Sequence, residues 1–223
     1  MSDVALVCGA GGALGGALVG ALLARGDRVV ATSHRAIADP DLPNLRREAV
    51  DLALPDEVEA LWARMSERGE HPRWLFNAAG GFRPGKIAET EAEGVRSVQR
   101  LNLDTAWWSC RAAARRMEPG GAILNVSSRS AVSGGHGAAA YSVAKAGVVR
   151  LTEVLAAELA ERRVRVNAIL PSLIDTAANR QSMSAERMTH AVPPDDIAAV
   201  AAFLCSDAAI AITGAAIPVY GWA

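Results

Sequence analysis

Short apolar runs alternate with longer mixed stretches along the whole chain. Val4-Ala5-Leu6-Val7-Cys8 is uniformly apolar, the pattern of a parallel strand covered on both faces. Gly9 to Gly16 reads as a turn and Ala17 to Arg25 as a helix that stops at Gly26, a residue suited to closing a helix. Val29-Val30-Ala31-Thr32 forms a second strand. Together these make a βαβ unit of about 30 residues, the usual size for one.

The alternation then repeats. Glu48-Ala49-Val50 is a weak third strand, Pro55 to Arg68 a helix with proline near its start, and Trp74-Leu75-Phe76 a fourth strand. A long helix is predicted from Glu91 to Met117, closed by Pro119-Gly120-Gly121. Ala122 to Val126 is a strand, Ala140 to Arg162 a helix and Val164 to Leu170 another strand. Asp195 to Cys205 is a helix and Ala215 to Val219 a last strand. Such alternation predicts the α/β class: a doubly wound parallel sheet of about seven strands with helices on both faces. No linker or repeat interrupts it, so residues 1–223 are read as a single domain.

Composition removes several alternatives. Hydrophobic residues make up 51% of the 223 and net charge is only -1, which excludes a disordered chain. Lys+Arg 23 against Asp+Glu 24 provides no global field for nucleic acid or an anionic membrane surface. Val4 to Ala24 is uncharged, but six glycines interrupt it and Asp3 precedes it. A strand, turn and helix therefore fit better than a membrane span or secretory leader. Cys8, Cys110 and Cys205 are far apart, as expected of reduced thiols in a cytoplasmic protein. His34, His71, His136 and His190 lack zinc-ligand spacing, so no metal is expected.

In an open α/β sheet, ligands bind beyond the carboxyl ends of the strands, near the point where strand order reverses. The first turn is Cys8-Gly9-Ala10-Gly11-Gly12-Ala13-Leu14-Gly15. Glycines there let a pyrophosphate approach the N–H groups of a helix N-terminus. Leu14 breaks the strict G-x-G-x-x-G spacing, and a turn that is glycine-rich only for tight helix packing is the alternative reading. Twenty positions past Gly15 lies Arg35, in Thr32-Ser33-His34-Arg35, with no carboxylate. An acid there would hold the ribose hydroxyl of NAD(H). Ser33, His34 and Arg35 instead admit and pair with a 2′-phosphate, so NADP(H) is favoured, with NAD(H) as the alternative.

Tyr141-Ser142-Val143-Ala144-Lys145 is the most informative segment. On a helix, positions i and i+4 share a face. A phenol, ordinarily protonated at neutral pH, would be pushed toward phenolate by an adjacent ammonium. The chain has only two lysines, Lys86 and Lys145, so this one stands out. Ser128 lies just past the strand Ala122–Val126 and 13 residues before Tyr141. Asn102 falls in the preceding long helix, and Asn77-Ala78-Ala79-Gly80 follows the fourth strand. Each piece falls near the sheet edge where this architecture places its site.

Together these motifs resemble the short-chain dehydrogenase/reductase family over essentially the entire chain, which implies a Rossmann-like domain. The resemblance implies that Tyr141 is general acid/base, that Lys145 binds the nicotinamide ribose and tunes Tyr141, and that Ser128 hydrogen-bonds the substrate oxygen. Asn102 would anchor a water relay to Lys145. Gly9, Gly11, Ala13, Leu14 and Gly15 correspond to the family's TGxxxGxG turn, with Cys8 in place of threonine and Ala13 in place of the middle glycine. Asn77, Ala78, Ala79 and Gly80 would line the adenosine ribose, Asp51 and Leu52 the adenine, and Pro171, Ile174 and Thr176 the nicotinamide. Ser172 stands where glycine is usual, and Ala13 fits beside the phosphates only at an ordinary negative φ.

A narrower similarity, in residues 11–15, 79–81 and 175–183, is to dihydropteridine reductase, a member of the same superfamily. The implied activity is hydride transfer between a nicotinamide and a small-molecule carbonyl or alcohol. The alternatives are a dihydropteridine reductase-like enzyme and a non-catalytic dinucleotide sensor. The family also implies a homotetramer or homodimer; Trp107 and Trp108 on the long helix would lie at a subunit interface or in the core. Asp175 to Val192 is read as a short polar cover for the pocket or a surface loop.

Overall fold

A computed structural model describes residues 3–36 and 42–222. Seven strands, β1 (Val4–Cys8), β2 (Arg28–Ser33), β3 (Leu45–Ala49), β4 (Pro72–Asn77), β5 (Ala122–Val126), β6 (Arg165–Pro171) and β7 (Ala216–Val219), form one sheet. Their order is β3-β2-β1-β4-β5-β6-β7 and every neighbouring pair is parallel. Strand order reverses between β1 and β4, where Cys8 faces Asn77 in register. A crevice opens at that point of such a sheet.

Alternate side chains of β1 feed two separate cores. Ala5 and Val7 pack under α1 (Ala13–Arg25) and α9 (Pro194–Cys205), with Leu18, Leu22, Ile197 and Leu204. Val4, Leu6 and Cys8 pack on the other face under α2 (Pro55–Glu67), α4 (Thr105–Arg116) and α6 (Ala139–Glu158), with Leu61, Met65, Ala113 and Leu155. All five residues of β1 are buried, which explains a strand pattern without polar alternation.

The elements differ from the sequence expectations in four places. α1 begins at Ala13, inside the glycine turn, because Gly12 adopts an extended N-cap geometry and its carbonyl accepts from Gly16 N at 2.8 Å. The third strand is Leu45–Ala49 and not Glu48–Val50, since Leu45 is its buried residue. The long helix is not continuous: α3 (Ala92–Gln99) and α4 flank a π-helical turn at Arg100–Asp104. Asn102 sits in that turn with its amide turned back onto Val98 O at 3.0 Å, and such wide turns mark places where a helix bends around a site.

The fourth difference concerns Asp175 to Val192, which folds into α7 (Ala177–Ser182) and α8 (Ala185–Met188). Thr176 and Ser184 cap these helices by accepting from Asn179 N and Arg187 N, a role short hydroxyl side chains fill well. Ile174 bridges to Val192 at the base. The remaining short helix, α5 (Ser130–Ser133), follows β5. No helix among the described residues is long and apolar enough to cross a membrane.

Candidate active site

The first turn is shaped by backbone approach. Gly9 has φ +92, and a Cβ there would lie 2.5 Å from Ala79 N. A Cβ on Gly15 would lie 2.2 Å from Gly9 O, so both positions exclude a side chain. Gly9 N and Ala10 N both donate to Thr32 O, at 3.0 and 2.7 Å, which ties the turn to β2. No side chain caps the α1 N-terminus and no acid stands in its first turn. Its positive end therefore faces the crevice uncompensated, a cradle that fits a pyrophosphate. Gly11 is exposed, and a Cβ there would make only ordinary contact with Ser33 Cβ at 3.4 Å; Leu14 is buried as the turn's anchor. Ala13 is exposed as the first residue of α1, and Arg163 is the only non-glycine residue with positive φ among those described. The Ala13 methyl thus needs no unusual backbone.

At the end of β2, Ser33 is buried and its hydroxyl donates to Arg35 O at 2.5 Å, while His34 and Arg35 are exposed. Asp51 is engaged: one carboxylate oxygen accepts from Ala53 N at 3.0 Å and the other pairs with Arg100 at 2.8 Å. Leu52 is buried beside it. Ala78 and Ala79 are half-buried and Gly80 is exposed along the exit from β4.

Asn77 departs from expectation. Its side chain does not reach the crevice: it is buried, donating to Asn125 Oδ1 at 2.8 Å and approaching Cys110 Sγ at 3.4 Å. Asn125 in turn donates to Thr152 Oγ1 at 2.9 Å. The two asparagines face each other across the β4–β5 register, so a chain of polar groups stitches β4, β5, α4 and α6 together beneath the site. The spacing of three separate motifs contains no signal for this network.

Ser128, Tyr141, Lys145 and Asn102 lie close together. The Tyr141 phenol is hydrogen-bonded to Ser128, whose oxygen also accepts from Ser130 Oγ at 3.1 Å. Lys145 Nζ lies 5.9 Å from the Tyr141 ring centroid and donates to Val126 O at 2.8 Å. Asn102 is buried with both ends of its amide on Gly81. A Cβ on Gly80 would lie 2.8 Å from Asn102 Oδ1 and 3.1 Å from Lys145 Nζ, which puts all three at one spot. Pro171 is buried at the end of β6, its carbonyl accepting from Arg129 N at 2.9 Å. Ile174 and Thr176 are half-buried nearby, the latter engaged as the α7 cap. Ser172 uses its hydroxyl to hold Tyr220 O at 3.1 Å.

Burial acts on the charge of both Tyr141 and Lys145. Burial raises the Tyr141 phenol above its ordinary value, and the Ser128 hydrogen bond opposes this only in part. Burial also lowers the Lys145 ammonium, from 10.5 to about 8. Desolvation disfavours the charged form of both groups.

Two neighbours escaped the sequence reading. The Phe82 ring stands edge-to-face on Tyr141, centroids 5.2 Å apart at 79°. Arg129 lies over the Tyr220 ring at 5.0 Å. Phe82, a rare aromatic directly after Gly80-Gly81, was the detectable one of these. Trp107 is 49% exposed, whereas Trp108 packs half-buried against the core with Arg111 over its ring. Among the described residues no group of His, Cys, Asp and Glu is placed to hold a metal.

Known proteins resemble this chain over nearly its whole length. Residues 9–221 match the family described as enoyl-(acyl carrier protein) reductase. An uncharacterized short-chain type dehydrogenase/reductase of Sinorhizobium fredii is 34% identical over 98% of this chain, which spans 43% of that protein's length. L-rhamnose 1-dehydrogenase (NAD(P)(+)) of Azotobacter vinelandii is 42% identical over 78% of this chain and 72% of that enzyme. A solved short-chain dehydrogenase/reductase from Brucella melitensis, described as a glucose/ribitol dehydrogenase, superimposes with TM-score 0.90 at 27% identity, covering 99% of this chain and 96% of the other. Matched by the family over residues 9–221 and by a solved member over nearly its full length, this chain belongs to the short-chain dehydrogenase/reductase family of oxidoreductases.

Proposed function

We propose that the chain is an NADP(H)-dependent oxidoreductase that interconverts a small-molecule carbonyl and its alcohol, with Tyr141 as general acid/base. The observation that carries this reading is the convergence of the Ser128 hydroxyl, the Tyr141 phenol and the Lys145 ammonium at one rim of the sheet. A bound nicotinamide supplies or accepts the hydride. Ser128 and Tyr141 hold the substrate oxygen between two hydroxyl groups, so the charge developing there meets preorganised donors. In reduction, Tyr141 gives its proton to that oxygen; in oxidation it takes the proton back. Burial keeps the phenol protonated, the form required for reduction. Lys145, its proton held less tightly than usual, stands beside the ring to balance the phenolate once the proton has left. Asn102 holds the Gly81 backbone at the mouth of a water relay that would return protons to Lys145.

The preference for NADP(H) over NAD(H) rests on exposed His34 and Arg35 after β2, where a 2′-phosphate would meet the Arg35 guanidinium. The named relative that uses NAD(P)(+) is compatible with either coenzyme. Association into a homodimer or homotetramer belongs to the same reading, with exposed Trp107 available at a subunit contact.

Turnover of ketones, quinones and quinonoid pterin with NADPH and NADH tests the assignment. Tyr141→Phe is expected to abolish consumption of coenzyme while leaving its binding intact, and Arg35→Ala to weaken NADPH about tenfold against NADH. Full activity in Tyr141→Phe overturns the role. Preference for quinonoid pterin with NADH indicates a dihydropteridine reductase-like enzyme. Binding without consumption of any substrate indicates a sensor.

A further inference from the structure

We propose that Phe82 is a specificity-determining residue: a fixed aromatic wall beside Tyr141 that favours carbonyl substrates bearing an aromatic or alicyclic substituent. The inference rests on the proposed role of Tyr141. One edge-to-face contact fixes the Phe82 ring against the phenol ring, yet 59% of the residue remains exposed. A large apolar ring next to the proton donor therefore keeps most of its surface open to whatever is held there.

The segment carrying Phe82 is clamped at both ends. On one side, Gly81 N donates to Asn102 Oδ1 at 3.1 Å and Gly81 O accepts from Asn102 Nδ2 at 3.0 Å. A Cβ on Gly81 would come within 2.9 Å of Leu101 Cδ2, so the strap lies tight against the π-helical turn. On the other side, Gly85 N donates to Gly137 O at 2.7 Å and Gly85 O accepts from Ala139 N at 3.0 Å. Ala139 opens α6 two residues before Tyr141. The three residues between the clamps, Phe82, Arg83 and Pro84, are thus attached to the two elements that carry Asn102 and Tyr141, and proline stiffens the third position.

A wall fixed in this way requires little ordering when a ligand arrives, which leaves more of the contact energy for binding. A substituent with a flat or cyclic apolar face can pack on the ring and displace water from it. A short polar chain cannot cover it. Phe82 therefore separates substrates by what is attached to the reacting carbon, and leaves the proton transfer to Tyr141.

The test compares wild type, Phe82→Ala and Phe82→Tyr with NADPH, using benzaldehyde and propanal. Phe82→Ala is expected to raise KM for benzaldehyde about tenfold with kcat held within about twofold. KM for propanal should stay within about twofold, and Phe82→Tyr should restore benzaldehyde. Equal effects on both aldehydes, or none, overturn the proposal. A second measurement needs no turnover: ligand-observed NMR of benzyl alcohol and 1-propanol with the protein and NADP+. Wild type and Phe82→Tyr should broaden benzyl alcohol selectively and Phe82→Ala should not. Equal broadening by wild type and Phe82→Ala, or none by wild type, overturns the proposal. Selective broadening lost in Phe82→Ala without consumption of either aldehyde upholds the wall and contradicts the assigned reaction. Turnover of both aldehydes unchanged in Phe82→Ala does the reverse.

Discussion

The side-chain amide of Asn102 and the backbone of Gly81 form a reciprocal pair, Oδ1 accepting from the Gly81 N–H at 3.1 Å and Nδ2 donating to the Gly81 carbonyl at 3.0 Å. Nδ2 also reaches Val98 O at 3.0 Å. One buried side chain thus joins the strap after β4 to the π-helical turn. Asn102→Ala removes three hydrogen bonds at once and leaves backbone groups unpaired. It should cost about 1–3 kcal/mol in denaturant unfolding. It should also lower kcat about 100-fold through misplacement of the site. Asn102→Asp keeps the acceptor and loses both donations, so it should fall between the two.

Gly80 tests how tightly the cluster is built. Its Cβ would intrude on both Asn102 and Lys145, while Gly80 itself is exposed. Gly80→Ala should therefore lower kcat about 100-fold and shift the unfolding midpoint little. A variant with near-normal kcat would show that Asn102 and Lys145 can move apart without loss.

Two glycines of α1 should respond in opposite directions. Gly20 lies exposed in mid-helix, and a methyl group added there would meet nothing within 4 Å, so Gly20→Ala should stabilise the protein by about 1 kcal/mol. Gly15→Ala would press its methyl onto Gly9 O and should destabilise by about 3 kcal/mol, with loss of coenzyme binding. Thermal or urea unfolding of the pair, together with coenzyme titration, checks both.

The chain has only two tyrosines, so phenolate absorbance in a Tyr220→Phe background reports Tyr141 alone. The phenol should ionise above its ordinary 10.0, because burial outweighs the Ser128 hydrogen bond. Lys145, lowered to about 8, is already neutral at that pH and cannot assist. Ser128→Ala removes a bond that favours phenolate and should move the titration further alkaline.

Alkaline stability follows from the buried thiols. Cys8 is raised from 9.0 to about 11 and Cys110 and Cys205 to about 12, mainly by burial. A thiol whose folded value lies above its unfolded value contributes stability that is complete below the unfolded value and is lost as pH rises toward the folded one. Lys145, lowered by burial, acts in the opposite sense between about 8 and 10.5, but it is one group against three. The melting temperature should fall above pH 9.0, and Cys205→Ala should make that fall shallower.

Much of the architecture is legible in local pattern. The apolar run of β1 and the glycines after it identify a buried strand and a phosphate-accepting turn, because those properties reside in consecutive residues. Tyr141 and Lys145 share a helix face at i, i+4 for the same reason. The side chain of Asn77 is not legible in this way. Both faces of a parallel strand are covered, and nothing local distinguishes a polar residue bound for the crevice from one paired across to Asn125. The break in the long helix is equally hidden, because its apolar spacing continues through Arg100–Asp104.

Sequence alone determined the βα order, the class of sheet and the identity of the groups that meet at its rim, since periodicity, glycine and proline act over a few neighbours. Only the tertiary structure decided that Asn102 clamps Gly81, that Phe82 leans on Tyr141, and that burial raises the phenol above its ordinary value. Those outcomes depend on which distant segments exclude water from one another, and desolvation is a property of the assembled fold that no short stretch of residues carries.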